Sequence, residues 1–275
     1  MLWVPQKGRV KQITNGGIVG TVSPGTAITA NATTLLDGAV TEFISAAAND
    51  QDSWGIHIMI TADVSPSAVA AVQTCLDILI GGATDDVLIP ALICGGTSTY
   101  SSINYFFPLH IPQGKRIAGI LASAKVSMAY RVQITLYGGS PPPWRVGQKV
   151  TALGTQANNA RGQAVVPTES GGAASVTQMV ASSVSDYFAF MPGFQTSTDA
   201  TMSFVSYNIG IGIGASVEDR IGTWTATTTG SEEHHGPFPA FPIFQDVPAG
   251  SRISLLASNS GLNNATYDAL IYGVN

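Results

Sequence analysis

The residues of this chain that could do chemistry are few. Glu232-Glu233-His234-His235 is the one constellation that suggests a metal. Zinc sites draw on His, Cys and carboxylates, but two adjacent histidines reach a single ion only with unusual backbone geometry. Between the two histidines neither the i,i+2 spacing of a strand nor the i,i+4 spacing of a helix is present. An exposed loop is the simpler reading, and no metal or other cofactor is expected. Cys75 and Cys94 lie in apolar stretches without a CxxC or other ligand spacing, which suits small buried hydrophobes. His57 sits inside an apolar run, where a packed or solvent-facing histidine is the ordinary case. Gly210-Ile211-Gly212-Ile213-Gly214 resembles a phosphate-cradling loop only superficially. Its glycines alternate with isoleucines in a strand pattern and no helical period follows, so close strand packing explains them. There is no Gly-x-Ser-x-Gly elbow, and the carboxylates are too scattered to nominate a glycosidase pair, so no catalytic residue is assigned and the chain is expected not to be an enzyme.

The organising element is Ile111-Pro112-Gln113-Gly114-Lys115-Arg116-Ile117, because it returns as Val247-Pro248-Ala249-Gly250-Ser251-Arg252-Ile253. Each occurrence leads into a small apolar run, then a tyrosine (Tyr130; Tyr267), then Leu136-Tyr137-Gly138 or Ile271-Tyr272-Gly273. The echo extends to Trp3 through Val10 and Trp144 through Val150, so the repeat covers nearly the whole chain. The offset between copies is not constant, as insertions and deletions in surface loops permit. Proline followed two residues later by glycine makes a tight approach into a strand, and Arg116 and Arg252 would stand at its start. There they would fasten the loop to a carboxylate or to main-chain carbonyls.

Large residues alternate in Ser53–Ile60 and Asp186–Met191, which predicts strands with one buried face. Short strands and loops are expected between Val19 and Ala48, around Ile28, Leu35-Leu36 and Phe43-Ile44. Ser65-Pro66 alone would open a helix. Its counterpart near Met202–Ile213 alternates like a strand, so a strand over Val72–Ile80 is expected with at most one helical turn before it. The result is an all-β chain of two tandem β-sandwich modules of jelly-roll type from an internal duplication. The first spans residues 1–139 with an N-terminal arm. The second spans residues 140–275 behind the joint Gly138–Pro143, which three consecutive prolines make semi-rigid.

Only 11% of residues are charged and the formal charge is −5, which speaks against a broadly basic nucleic-acid binder despite Lys7, Arg9 and Lys11. No stretch is long and apolar enough to span a bilayer as a helix, and the first dozen residues lack the apolar core of a secretion signal. Neither a membrane nor a nucleic acid is therefore expected as a partner. A surface of hydroxyls and amides with few long charged side chains is inexpensive to cover with a neighbour.

Tandem small sandwiches, low charge and abundant Ala, Gly, Ser and Thr resemble, in overall style, the accessory virion proteins of tailed bacteriophages: head-decoration, cement and tail-associated proteins. The resemblance implies a virion protein that packs against itself as a symmetric oligomer, a trimer by analogy, and against capsid or tail components. Trp3, Pro5, Phe106, Phe107, Trp144, Phe238 and Phe241 are the candidate contacts, with the module core as their alternative place. The second functional expectation is a carbohydrate- or receptor-binding module that would meet a host glycan through Trp54, Trp224 and the Ser231–His235 loop.

Overall fold

The computed structural model describes residues 12–15, 25–62, 73–82, 84–94, 102–154, 162–168, 173–196, 205–214, 218–228, 241–260 and 267–275. In the first half these form β1 (Gln12–Thr14), β2 (Thr26–Thr29), β3 (Thr41–Ile44), β4 (Ser53–Ala62), β5 (Thr74–Gly81), β6 (Asp85–Ile93), β7 (Ser102–Phe107), β8 (Arg116–Ser123) and β9 (Ala129–Gly138). The second half supplies β10 (Val150–Leu153), β11 (Gln163–Val165), β12 (Ser175–Val180), β13 (Tyr187–Thr196), β14 (Val205–Ile213), β15 (Asp219–Thr228), β16 (Ile243–Val247), β17 (Ile253–Asn259) and β18 (Tyr267–Val274). Among the described residues there is no helix. The Ser65-Pro66 segment and the glutamate-histidine cluster lie outside them.

Four antiparallel sheets result. The first half makes β1-β9-β4-β7, with β2 also on β9, and β3-β8-β5-β6. The second makes β10-β18-β13-β16, with β11 also on β18, and β12-β17-β14-β15. Every strand of the first order has its counterpart nine strands later, so the halves share one topology. With β1 and β2 counted as two pieces of one strand, each half is an eight-stranded jelly roll. Asn15 bridges the break between those pieces. Its amide donates to the Val132 carbonyl at 2.8 Å and to Thr26 Oγ1 at 3.0 Å, and its Oδ1 accepts the Ile134 N–H at 2.5 Å. A side chain thus does the work of the missing ladder bonds.

The alternation read from sequence is visible where one face of a strand meets a core. In β9, Tyr130, Val132, Ile134 and Leu136 are buried while Arg131, Gln133, Thr135 and Tyr137 are half-exposed. β4 does the same with Ile56, Ile58 and Ile60. In β13 the alternation vanishes, and Tyr187 through Gln195 are buried on both faces. The reason is tertiary. The outer face of the second half's β13-β18 sheet packs against the first half, and one apolar cluster runs from Ile13 through Leu136 into Val150, Phe188, Met191, Leu270, Tyr272 and Val274. A second cluster, including Phe190, Phe194, Ile211, Trp224 and Ile271, fills the second sandwich alone. The relative placement of the halves is therefore fixed by core packing as well as by the proline joint. Leu35 and Leu36 lie in a turn outside any strand. Leu35 has φ of 62°, and Leu36 is exposed.

Candidate functional site

The repeated turn is built the same way twice. Gly114 and Gly250 have φ of 74° and 85°, the left-handed region where a side chain is disfavoured. Their N–H groups donate to Asn49 O and Ser183 O, both at 2.8 Å. One residue earlier, the Gln113 N–H donates to Asp52 Oδ1 at 2.8 Å and the Ala249 N–H to Asp186 Oδ1 at 2.7 Å. Asn49 adds donation to the Pro112 and Lys115 carbonyls, and Ser183 Oγ donates to the Pro248 carbonyl. Two residues beyond the glycine, Arg116 pairs closely with Asp85, and Arg252 Nη2 lies 3.0 Å from Glu218 Oε1. Asp85 begins β6 and Glu218 immediately precedes β15, so each arginine ties the start of one strand to the start of a strand two places away in its sheet. Neither Pro112, Gly114, Arg116 nor Pro248, Gly250, Arg252 is arranged around an open cleft.

The halves differ where they meet. The β5–β6 and β14–β15 pairs share a bulge, at Ile78/Leu79 and at Ile211/Gly212. Only β6 carries a second one, between Leu76 and Ile78, which accommodates Pro90 and Ala91. Ala91 has φ of 49°, and its N–H donates to Asp77 Oδ1 at 2.6 Å. Into this irregular edge the second half inserts Tyr272. Its hydroxyl donates to the Ala91 carbonyl and accepts from the Ile93 N–H, each at 2.8 Å. The Tyr272 ring meets Tyr105 and Phe107 edge-on at centroid distances of 5.7 and 6.0 Å. Tyr105 completes the clasp by donating to the Ile93 carbonyl at 2.7 Å. Nearby, Gln73 pairs closely with Asp268, and Gln195 Oε1 accepts the Thr74 N–H at 3.1 Å. The second half thus wedges between β6 and β7, the edge strands of the two sheets of the first sandwich. At the corresponding place in the second sandwich β15 and β16 close on each other. A Cβ on Gly222 would lie 1.7 Å from Ile243 Cδ1.

Burial at this junction suppresses ionisation. It pushes the thiols of Cys75 and Cys94 and the phenols of Tyr105 and Tyr272 upward, so all four are neutral and the free cysteines are poor nucleophiles. Asp77 is raised from its ordinary 3.8 chiefly by burial, opposed by the Ala91 N–H and reinforced by Asp37. A carboxyl raised on folding binds its proton more tightly in the native state. This group therefore makes stability fall as pH rises from 3.8 through the raised value. Asp77→Asn retains an acceptor for Ala91 and is expected to flatten that part of the curve, as urea midpoints across mildly acidic pH would read.

The aromatic candidates separate by position. Trp3, Pro5 and Phe238 lie outside the described residues, as does the Ser231–His235 loop. Phe107 is fully buried against Tyr272, so its contacts are within the chain. Trp224, the candidate sugar platform, is 4% exposed and belongs to the second core. Trp144 is half-buried. Phe106 is half-buried between Tyr137 and Phe241, and Phe241, two residues before β16, is 59% exposed, with Phe244 also open on that edge strand. Trp54 stacks on His110 at 4.7 Å and donates Nε1–H to the Gly139 carbonyl at 2.9 Å, with exposed Asp52 beside the imidazole. Sequence reasoning did not single out Tyr272 as a contact residue. Its motif twin Tyr137 stands in the same pattern, an aliphatic residue before and a glycine after, so that pattern does not distinguish them.

His57 lies on β4 with Nε2 3.2 Å from Asn104 Oδ1, and burial lowers its pKa. Gly210 and Gly212 lie within β14, where a Cβ would crowd Gly222 O and Glu218 Cβ at 3.2 and 2.8 Å. Among the described residues no three His, Cys, Asp or Glu side chains gather as a metal site requires. No helix among them is long and apolar enough to cross a membrane.

No family model and no curated protein sequence matches the chain. Solved structures match it at low similarity. PNGase F, a glycosylasparaginase from Flavobacterium meningosepticum, matches at 10% identity and a TM-score of 0.30, over 91% of this chain and 96% of that one. The top component of Cowpea mosaic virus matches at 10% and 0.34, over 94% and 91%. The tandem CBM22 domains of Paenibacillus barcinonensis Xyn10C match at 11% and 0.29, over 99% and 100%. The chain spans 65% of the length of PNGF-II, which it also matches. The expectation that the chain is not an enzyme is corrected here. With a glycosylasparaginase among its matches, the lack of a catalytic motif in the sequence does not exclude hydrolytic chemistry. Virus capsid proteins are among the matches, and none of those named is from a phage.

Proposed function

We propose that the chain is a structural component of a virus particle. It would decorate or cement the head of a tailed phage, or form part of its tail, by packing against copies of itself and against capsid or tail proteins. The observation that carries this reading is the joining of two jelly rolls of identical strand order through a continuous core, which makes one firm building block. Jelly rolls serve repeatedly as shell and lectin domains. A surface with few charged residues adds little desolvation or side-chain entropy cost to lateral packing. Phe244 on the β16 edge and Phe241 just before that strand, with Phe106 beside Phe241, are the contact residues this reading favours.

A second reading, a glycan-binding module of an adhesion device, draws on the half-buried Trp54 with His110 and Asp52 alongside. An indole face with adjacent polar groups is a common sugar platform. Light scattering on the purified chain, with electron microscopy of the same sample, tests both. A closed oligomer or shell, at a multiple of 28.4 kDa, supports the structural reading. A monomer that binds glycans, and loses them in Trp54→Ala, replaces it with the second. A monomer indifferent to both overturns the two together.

A further inference from the structure

We propose that the cleft of the first jelly roll, between β6 and β7, is a docking site for the second jelly roll of a neighbouring copy as well as for its own. The chain would then assemble by exchanging halves. The occupant is fixed by chemistry already present. Ala91 O, Ile93 N–H, Thr74 N–H and Gln73 are satisfied by Tyr272, Gln195 and Asp268, all from the second half. The cleft cannot stand empty without exposing Tyr105, Phe107 and the β6 edge. A second copy carries the identical face, so exchange makes the same contacts and changes only which chain supplies them.

The connection between the halves permits it. Gly139 through Pro143 are exposed or half-exposed, and three prolines in succession hold this stretch extended. Arg145, two residues past the joint, already belongs to the second half. The Arg145 guanidinium lies 4.8 Å over the Phe188 ring and bonds Asp246 at 3.1 Å. Opening the chain at 139–143 therefore breaks one interface and no sandwich. The energetic difference between the closed and exchanged forms is mainly one of concentration. A short linker presents the partner half at about 1 mM, so exchange gains ground as the concentration of chains rises toward that level. The exchange goes beyond the particle reading. It commits to one surface and one occupant, and it holds or fails whatever the particle is.

Only one direction of exchange is available. The corresponding opening of the second jelly roll is closed by Ile243 against Gly222, so the first half of a neighbour has no cleft to enter there. Exchange therefore gives reciprocal dimers or closed rings in which every first half receives one second half.

The test is to shorten the joint. Removing Ser140, Pro141 and Pro142 takes three of the five residues from an extended joint, so the chain is expected not to close on itself, and light scattering to show a mass at least twice the 28.4 kDa chain, with native near-ultraviolet circular dichroism. A folded species of single-chain mass overturns the proposal. If the shortened chain does not fold, the unaltered chain decides. Refolded from urea over a range of concentrations, it should yield a dimer fraction that rises with concentration and disappears in Tyr272→Ala. A dimer fraction absent at every concentration, or unaffected by that substitution, overturns it. Exchange found in a protein that never joins a particle would leave this proposal standing and remove the virion reading.

Discussion

Tyr272→Ala is expected to destabilise the protein by about 4 kcal/mol, the scale of deleting a large ring from a packed core. The ring is fully buried and touches Tyr105 and Phe107 across the junction, so its loss opens a cavity that two jelly rolls share. Tyr272→Phe keeps the ring and separates the two contributions. It leaves the Ile93 N–H and the Ala91 carbonyl, both at a buried edge, without their partner. Stranding buried polar groups costs about 1–3 kcal/mol each, so roughly half of the alanine effect should survive in the phenylalanine variant. The equivalent change in the first half, Tyr137→Phe, should be nearly silent, because that side chain is half-exposed. Urea unfolding followed by tryptophan fluorescence and far-ultraviolet circular dichroism checks all three. Equal midpoints for Tyr272→Phe and Tyr137→Phe would refute the clasp.

The second large effect is expected at Arg252. Arg252→Leu leaves the Glu218 carboxylate, 7% exposed, with the Ser254 hydroxyl as its donor at 3.0 Å among the described residues. Removing one member of a buried ion pair costs about 3–5 kcal/mol. Because the arginine is itself a quarter exposed, an effect of about 2–3 kcal/mol is the sensible expectation. Arg116→Leu should cost less, because Asp85 is 14% exposed and water can solvate what the arginine leaves. The double variant Arg252→Leu with Glu218→Gln should recover much of the loss, since no buried charge then remains. A double variant no better than the single one would show that the arginine acts through packing alone.

Much of the architecture was legible in the sequence because its signals are local. A proline, a glycine two residues on and an arginine after it define a turn whose φ and hydrogen bonds depend on a few neighbours, and it forms twice. Alternation in Ser53–Ile60 marks a strand because one face meets the core and the other does not. Strand order was not legible, since β1 and β9 pair across more than a hundred residues and no local pattern encodes that register. The interface was hidden for a different reason. Leu136-Tyr137-Gly138 and Ile271-Tyr272-Gly273 are the same motif, yet one tyrosine is half-exposed and the other is locked between two domains. The difference resides in what lies opposite: a second bulge at Pro90-Ala91 and the carboxylate of Asp77 that holds it. Trp224 shows the converse, an aromatic chosen for its chemistry that the fold uses as filler.

The wedge also sets a timetable. β18, which carries Tyr272, emerges from the ribosome long after the cleft it fills, which is complete once β9 has been made. At about 5–20 residues per second the first jelly roll waits on the order of ten seconds or more with Tyr105, Phe107 and the β6 edge uncovered. Nascent chains translated side by side on one message hold such openings close together. Birth is therefore the moment when a neighbour's second half can arrive before the chain's own.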